Sequence, residues 1–174
     1  MKKILLSSFF NRKTLLVAEE LIGKFLVRRV RGKEKALMIC ETEAYDGFKD
    51  KASHAHRGKT TRNEIMFREA GHIYVYFTYG MHYMLNIVTG NKDYPAAVLL
   101  RAVEGVSGPG RLTKKLRIDK KLNGKFLGRK TGLWIEDRGV TIQKKLIRRT
   151  PRIGIRYAEE WAKKPYRFVM KGKN

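Results

Sequence analysis

The sequence predicts one α+β domain over residues 1–174, with a curved, mainly antiparallel sheet flanked by helices. Two patterns indicate this fold. Short apolar or alternating stretches, separated by turn residues, fill the middle of the chain, as in an antiparallel sheet. Helical patterns precede and follow this strand-rich part. The 174 residues, of which 43% are hydrophobic, are enough to bury a core.

The elements follow in order along the chain. A helix is predicted over residues 11–23, with Asn11 as its N-cap and Gly23 at its end. Strands are predicted at residues 25–27, 36–43, 72–79, 81–88 and 96–103. Gly80 indicates a hairpin tip or a bulge between the third and fourth of these. A second helix is predicted over residues 111–118, and short strands around residues 133–135 and 140–142.

The charge of the chain narrows the class of partner. It has 39 Lys and Arg residues against 16 Asp and Glu residues, a net charge of +23 at pH 7. Nucleic acid is favoured, because cations that neutralise phosphates release bound counterions. Basic clusters at residues 111–130 and 144–149 fit phosphate contacts, or else solvated faces. An anionic membrane is less favoured, since no long basic amphipathic helix is present in the sequence. Association with the ribosome stays open.

The single cysteine, Cys40, leaves no partner for an intrachain disulfide and fits a reducing compartment. It lies in an apolar run, which favours a core position over a nucleophile. The N-terminal apolar run is too short for a signal peptide, and no segment reaches the length of a membrane span. The sequence predicts a cytoplasmic protein without a membrane partner, associated with the nucleoid if it is prokaryotic.

The most informative stretch runs from Glu41 to Tyr45, at the end of an apolar strand. A carboxylate there can act as a general base beside a bound water, and Glu43 is the candidate. Glu41 lies two residues earlier and shares its face of the strand, so the pair could be acid and base or could hold a divalent metal. The alternatives are a solvated Glu43 and a structural salt bridge of Glu41.

Aromatic residues follow the acidic stretch at Tyr45, Tyr74, Tyr76 and Tyr79. Bases stack on such rings with about 1–3 kcal/mol each, although tyrosine is also common in sheets. Tyr74 and Tyr76 share one face of their strand, and Tyr79 precedes Gly80, where its ring could enter a base stack.

Three polar features have both a structural and a functional interpretation. Arg101 and Asn86 interrupt apolar strands, so each needs a partner in the core or faces a pocket. His54 and His56 are close in sequence, but one cysteine and four histidines give little support for zinc. A polar or base-contacting loop is favoured there, and no metal is predicted.

Taken together, these residues resemble the alkyladenine (3-methyladenine) DNA glycosylase family, the type without a helix-hairpin-helix. The resemblance covers nearly the whole chain, and the order and spacing of its motifs make it specific. The motifs are Phe10-Asn11, Glu41 to Tyr45, His54, Arg62-Asn63 with Met66-Phe67, Tyr74 to Met81, Asn86, Val98 to Ala102, Gly108 to Leu112, Pro151 to Ile155 and Lys164 to Phe168.

The resemblance implies excision of a base by a monomer, without a metal or other cofactor. It assigns the role of general base to Glu43, and Arg101 helps to hold the attacking water together with a main-chain carbonyl near residues 153–155. Tyr45, His54 and Tyr76 match the groups that sandwich the extruded base.

The same resemblance assigns discrimination against guanine to Asn86. Tyr79 matches the ring that fills the gap left in the duplex, and Met81 lies beside it. His82 departs from the aromatic residue that relatives often carry there.

The sequence therefore predicts a monofunctional glycosylase that removes alkylated or deaminated purines from double-stranded DNA and starts base excision repair. The alternative is a non-catalytic basic module that binds RNA or the ribosome and uses its tyrosines to stack. A metal-dependent nuclease built from Glu41, Glu43, His54 and His56 is the third and least favoured class.

Overall fold

The computed structural model describes residues 2–78 and 80–172. Across these residues, ten strands form one sheet: β1 (Lys3–Ile4), β2 (Phe25–Val30), β3 (Lys33–Asp46), β4 (Ile73–Thr78), β5 (His82–Val88), β6 (Ala96–Val103), β7 (Val106–Ser107), β8 (Leu133–Asp137), β9 (Ile147–Thr150) and β10 (Arg167–Met170). The α-helices are α1 (Ser7–Phe10), α2 (Thr14–Glu20) and α3 (Pro109–Leu116). Short 3₁₀ segments cover Glu64–Phe67, Lys120–Leu122, Lys144–Leu146 and Arg156–Lys163.

The sheet is antiparallel, in the order β1-β8-β2-β3-β6-β5-β4, which confirms the predicted α+β class. The long strand β3 pairs with β2 over Lys33–Met38 and then with β10 over Glu41–Glu43. On its other side it pairs with β6, with register shifts between Ile39 and Thr42. Irregularities of this kind bend a strand and re-aim its side chains. Here they fall immediately before Glu43.

Side-chain alternation gives the central strands two different faces. One face packs into the main core under α2 and α3, with Ile73 and Val75 of β4, Leu85 and Ile87 of β5, Val98 and Leu100 of β6 and Ala44 of β3. The intervening residues point to the opposite face. Cross-strand register aligns Tyr74, Asn86, Leu99, Glu43 and Arg167 across five strands of that face. The sheet thereby collects residues that are far apart in sequence.

Two smaller apolar clusters attach loops to this second face. One joins Ala55 and the 3₁₀ segment Glu64–Phe67 to Tyr74, Val88 and Ala97. The other joins Ala52 to Ile155 and Ala158, with the Tyr45 ring packed against them. The loop after β3 and the segment before β10 are therefore both anchored over this face of the sheet, and they pack on each other through Ala52, Ile155 and Ala158.

Some predicted elements need correction. The helix predicted over residues 11–23 is α2, and it begins only at Thr14 with Lys13 as its N-cap. Asn11 instead ends α1, where its backbone N–H donates to the Ser7 carbonyl. The strand predicted at residues 140–142 is wrong, because Val140 and Ile142 pack against the core without joining the sheet.

The hairpin alternative at Gly80 is confirmed, since β4 and β5 pair antiparallel with Thr78 opposite His82. The second predicted helix begins at Pro109, two residues early, and ends at Leu116 before a left-handed Arg117. Among the described residues, no helix has both the length and the apolar character needed to span a membrane.

Candidate active site

Glu43 is fully buried on β3, so the interpretation of a solvated surface carboxylate is wrong. Its Oε1 accepts a hydrogen bond from the Ile153 backbone N–H at 2.8 Å, and its Oε2 accepts one from the Tyr45 hydroxyl at 2.9 Å. Arg101 Nε lies 3.4 Å from Oε1. Both carboxylate oxygens are thereby held in a fixed direction.

The surroundings of Glu43 alter its proton affinity. Burial raises the pKa of Glu43, because the ionised carboxylate loses its hydration, and the nearby charge of Glu41 adds to the rise. Arg101, the Ile153 N–H and the Tyr45 hydroxyl act against this rise, but burial outweighs them. A carboxylate with a raised pKa accepts a proton more readily, which suits a general base.

The second carboxylate, Glu41, orients Arg101. Its Oε1 accepts hydrogen bonds from Arg101 Nε at 2.8 Å and from Arg167 Nε at 2.7 Å. The structural salt bridge considered for Glu41 is therefore present, and the partner expected for Arg101 is found. The guanidinium group of Arg101 is held between Glu41 and Glu43 at the edge of a cavity.

This cavity has a volume of about 340 Å³, and two of the groups that contact the Glu43 carboxylate, Tyr45 and Arg101, line it. Five of the predicted site residues line it: Tyr45, His54, Tyr76, Asn86 and Arg101. Ile153, whose amide binds Glu43, lines it as well. The volume is at the lower end of the range for small-ligand pockets.

One wall of the cavity is aromatic. The rings of His54 and Tyr76 pack edge to face with centroids 4.6 Å apart, and the centroids of Tyr74 and Tyr76 are 5.4 Å apart. The predicted sharing of one strand face by these two tyrosines is confirmed. The Arg62 guanidinium lies 5.6 Å from the centre of the Tyr76 ring.

His54 is neutral at pH 7, because burial lowers its pKa to about 4 and the charge of Arg62 acts in the same direction. Its Nδ1 lies 2.9 Å from the Tyr74 hydroxyl. Burial raises the pKa of Tyr74 to about 12, so this hydroxyl keeps its proton, and the direction of the hydrogen bond is set by the tautomer of His54.

Asn86 satisfies both interpretations of its polar side chain. It is buried on β5, and its Nδ2 donates to the backbone carbonyls of Tyr74 and Met84, each at 3.3 Å. It also lines the cavity. With Nδ2 directed at the sheet, Oδ1 is the polar atom available to a ligand.

The tip of the β4–β5 hairpin lies at the rim of the cavity, which Thr78 lines. Met81 is 68% exposed at this tip, so its side chain is available to a partner. Tyr79, the predicted intercalating ring, lies outside the described residues. His82 follows Met81 and packs closely on Gly110 at the start of α3.

Sequence reasoning assigned no role to several groups that organise this site. Asn63 donates from Nδ2 to the carbonyls of His54 and Gly58, and its Oδ1 accepts from the Thr60 N–H. Asp50 and Arg152 form a fully buried ion pair behind Tyr45. Asn63 and Arg152 belong to motifs of the family resemblance, but no local sequence pattern indicates which groups they contact.

His54 and His56 have separate partners, since His56 is exposed and its Nδ1 contacts the Phe48 carbonyl at 2.8 Å. Within residues 2–78 and 80–172, no group of three or more His, Cys, Asp or Glu side chains is placed to hold a metal ion. The predicted water site, including a carbonyl from residues 153–155, stays a prediction. The contact seen from that segment to Glu43 is the Ile153 amide.

These features define the chain as a basic α+β protein whose candidate active site is a carboxylate beneath an aromatic cavity. The family model of methylpurine-DNA glycosylase matches residues 8–107 and 104–174. The chain belongs to the methylpurine-DNA glycosylase family. Membership confirms the resemblance seen in the sequence, together with the predicted enzyme class, a hydrolase of N-glycosyl bonds with DNA as partner.

Curated relatives agree over nearly the full length of the chain. A protein of Methanocella arvoryzae is 43% identical, with 97% of this chain and 92% of the relative covered. One of Legionella pneumophila strain Paris is 42% identical, covering 96% and 94%. One of Carboxydothermus hydrogenoformans is 43% identical, covering 94% and 93%. Each carries the name "Putative 3-methyladenine DNA glycosylase".

Proposed function

We propose that the protein is a monomeric, monofunctional glycosylase that extrudes alkylated or deaminated purines from duplex DNA and hydrolyses their N-glycosidic bond. The observation that carries this proposal is Glu43, which is fully buried, fixed at both oxygens and bound by groups that line an aromatic cavity. A protein that only stacked on nucleic acid would have no use for a buried carboxylate of raised pKa at that position.

The cavity supports recognition of a single extruded base. Tyr45 and the His54–Tyr76 pair offer ring faces and edges on which a purine can stack. Purines alkylated at a ring nitrogen carry positive charge, which the faces of tyrosine rings attract. Because His54 is neutral, its ring adds no repulsion against such a base.

The chemical step begins with Glu43 taking a proton from a bound water. The water oxygen forms a bond to the anomeric carbon, and the electrons of the glycosidic bond leave with the base. Positive charge develops on the sugar in this step, and the carboxylate offsets it. In this proposal Arg101 holds the water against Glu43, which is supported by its hydrogen bond to Glu41 and its distance of 3.4 Å from the Glu43 carboxylate.

The hairpin tip supports the contact with the duplex. Met81 is exposed at the hairpin tip, which Thr78 joins to the rim of the cavity, and its side chain could enter the space left by the extruded nucleotide. Exposed cations continue from Pro109 along α3 at Arg111, Lys114 and Lys115, in reach of the flanking phosphates.

The test is incubation of the purified protein in EDTA with duplex oligonucleotides carrying hypoxanthine, and with methylated DNA. Free modified base, with alkali-labile sites in the DNA, is the expected result. Tight binding to DNA or RNA without base release from either substrate would contradict the proposal and favour the binding module. Strand breaks that EDTA prevents would favour the nuclease.

A further inference from the structure

A fully buried ion pair lies behind the cavity wall. Arg152 Nη1 and Nη2 donate to Asp50 Oδ2 and Oδ1 at 2.6 and 2.7 Å, which is a bidentate arrangement. Both side chains are 0% exposed. The two residues are 102 positions apart, so the pair joins the loop after β3 to the segment before β10.

The pair reaches Glu43 from two sides. Arg152 Nη1 also donates to the Ala44 carbonyl at 2.7 Å, and its guanidinium lies 4.7 Å from the centre of the Tyr45 ring, whose hydroxyl binds Glu43 Oε2. The residue that follows Arg152 is Ile153, whose amide binds Glu43 Oε1. Both hydrogen bonds that orient the carboxylate therefore start from groups that Arg152 holds in place.

Asp50 also binds the backbone at the end of β3 and in the loop that follows it. Its Oδ2 accepts from the Asp46 N–H at 3.0 Å, and its Oδ1 accepts from the Ala52 N–H at 3.1 Å. Ala52 lines the cavity and packs on Ile155. The pair thus helps to fix how the loop after β3 and the segment before β10 pack together at the wall of the cavity.

The geometry is poorly explained by stability alone. Two charges removed from water regain little net free energy, and apolar residues of similar volume often replace such a pair without loss of stability. In addition, Arg152 Nε is buried without a hydrogen-bond partner among the described residues. A buried, unsatisfied donor is unfavourable. The ion pair is therefore better explained by its effect on the position of the groups that bind Glu43.

We infer that Arg152, fixed by Asp50, is a positioning residue that presents the Glu43 carboxylate to the water and the extruded base. This inference rests on the glycosylase function proposed above. A displacement of about 1 Å at a reacting group costs about 100-fold in rate. Loss of the pair is therefore expected to reduce the chemical step about 100-fold and to leave DNA affinity nearly unchanged.

Two variants test the inference. Asp50→Leu with Arg152→Met replaces the ion pair by apolar side chains, and Arg152→Lys keeps the charge but loses the bidentate fork. The matched control is Lys24→Met with Asp137→Leu, which removes a salt bridge located between β8 and the start of β2. Each protein is compared with the wild type by single-turnover excision in EDTA, by affinity for lesion DNA and by thermal unfolding.

The pH dependence of the excision rate separates the two roles of Arg152, because a purely structural role would leave it unchanged. Among the described residues, the groups that interact with Glu43 are Arg101 and Glu41 of the sheet, the Tyr45 hydroxyl, the Ile153 N–H, Tyr76 of β4 and the charge of Arg152 itself. Without Arg152, two or more stabilising influences on the ionised carboxylate weaken. The acid limb of the excision rate should move to higher pH in the double variant and stay in place in the control.

The expected result is a double variant that unfolds near the wild-type temperature, binds lesion DNA within about threefold of the wild type and excises about 100-fold more slowly. Wild-type excision rate and acid limb in that variant would overturn the inference. If the double variant does not fold, Arg152→Lys provides the test. Its excision rate is expected to be at least about tenfold below that of the wild type. An unchanged rate in Arg152→Lys would overturn the inference. Absence of excision by the wild type would instead contradict the proposed function.

Discussion

Replacement of Glu43 by Gln tests the centre of the mechanism, and the structure indicates that the variant will fold. The Gln carbonyl oxygen can accept from the Ile153 N–H, as Glu43 Oε1 does. Its amide nitrogen then faces the Tyr45 hydroxyl, which can turn and accept where it formerly donated. Arg101 keeps its 2.8 Å hydrogen bond to Glu41. The substitution therefore removes the base while keeping the contacts of this side chain with the Ile153 amide and the Tyr45 hydroxyl.

The magnitude follows from what the carboxylate supplies. General base catalysis contributes about 10²–10⁴-fold, and stabilisation of charge developing on the sugar adds to it. A loss of at least about 10³-fold is expected, equivalent to about 4 kcal/mol of transition-state stabilisation. Single-turnover excision from methylated duplex DNA measures it, and fluorescence anisotropy should show affinity within a few-fold of wild type. A Glu43→Gln rate within tenfold of wild type would refute the mechanism.

The same variant should also be more stable at neutral pH. The pKa of Glu43 in the folded state is raised above its ordinary value of 4.5, so the folded state binds this proton more tightly than the unfolded state does. The free energy of unfolding therefore decreases as the pH rises above 4.5. Each unit of such a shift corresponds to about 1.4 kcal/mol. Gln does not ionise, so Glu43→Gln should unfold a few degrees higher than wild type at pH 7.5, and the gain should vanish below about pH 4.5. If Glu43→Gln and wild type had the same melting temperature as each other at both pH values, the raised pKa would be contradicted.

Three further outcomes are expected. The wild-type excision rate should fall on the acid side with a limb above pH 4.5, because burial raises the pKa of Glu43; a limb below that value would contradict the assignment. Gly110→Ala places a Cβ 2.7 Å from His82 Cγ, so it should displace the hairpin and weaken DNA binding several-fold, whereas Gly128→Ala, in open space, should not. Asn63→Ala removes three hydrogen bonds to loop backbone and should lower stability by about 2 kcal/mol, or about 4–8 °C by calorimetry; an unchanged melting temperature would show that the loop holds without it.

Local patterns predicted the strands well because an antiparallel sheet imposes a two-residue repeat on its own sequence. The stretch predicted at residues 96–103 is β6 itself, and those at 72–79 and 81–88 are β4 and β5 to within a residue at either end. The error at residues 140–142 has a physical cause. Val140 and Ile142 are apolar because they pack on the core, and Ile142 lies against Gly23, so apolar character there reports burial and not strand pairing.

β9 shows the opposite failure. Ile147–Thr150 is a strand paired with β10, yet its two arginines made it resemble a phosphate-binding cluster. Arg149 in fact contacts Glu19 at 2.6 Å, with its guanidinium group 5.3 Å from the centre of the Phe168 ring. A basic residue at the edge of a sheet can thus be committed to the fold, which composition alone does not reveal.

The site could be predicted only in part for a related reason. Alternation places Tyr74 with Tyr76, and Glu41 with Glu43, because each pair lies within one strand. The distance between these pairs depends on the register of β3 with β6, which shifts near Glu41. The partnership of Asp50 with Arg152 depends on how two loops pack over the sheet, and no periodic pattern encodes such a contact. The resemblance supplied the roles, and the fold supplies the contacts that orient them.

The distribution of charge separates the two tasks that the proposed function requires. Around the candidate active site, three arginines face three carboxylates in contacts of 2.6 to 3.4 Å: Arg101, Arg152 and Arg167 with Glu41, Glu43 and Asp50. This buried set is close to neutral, so the net charge of +23 lies on other parts of the chain. Attraction of DNA by exposed cations is screened by salt, whereas interactions within a buried set are screened much less. The proton affinity of Glu43 is consequently fixed by the fold, and the strength of DNA binding can vary with salt without altering the base that performs the hydrolysis.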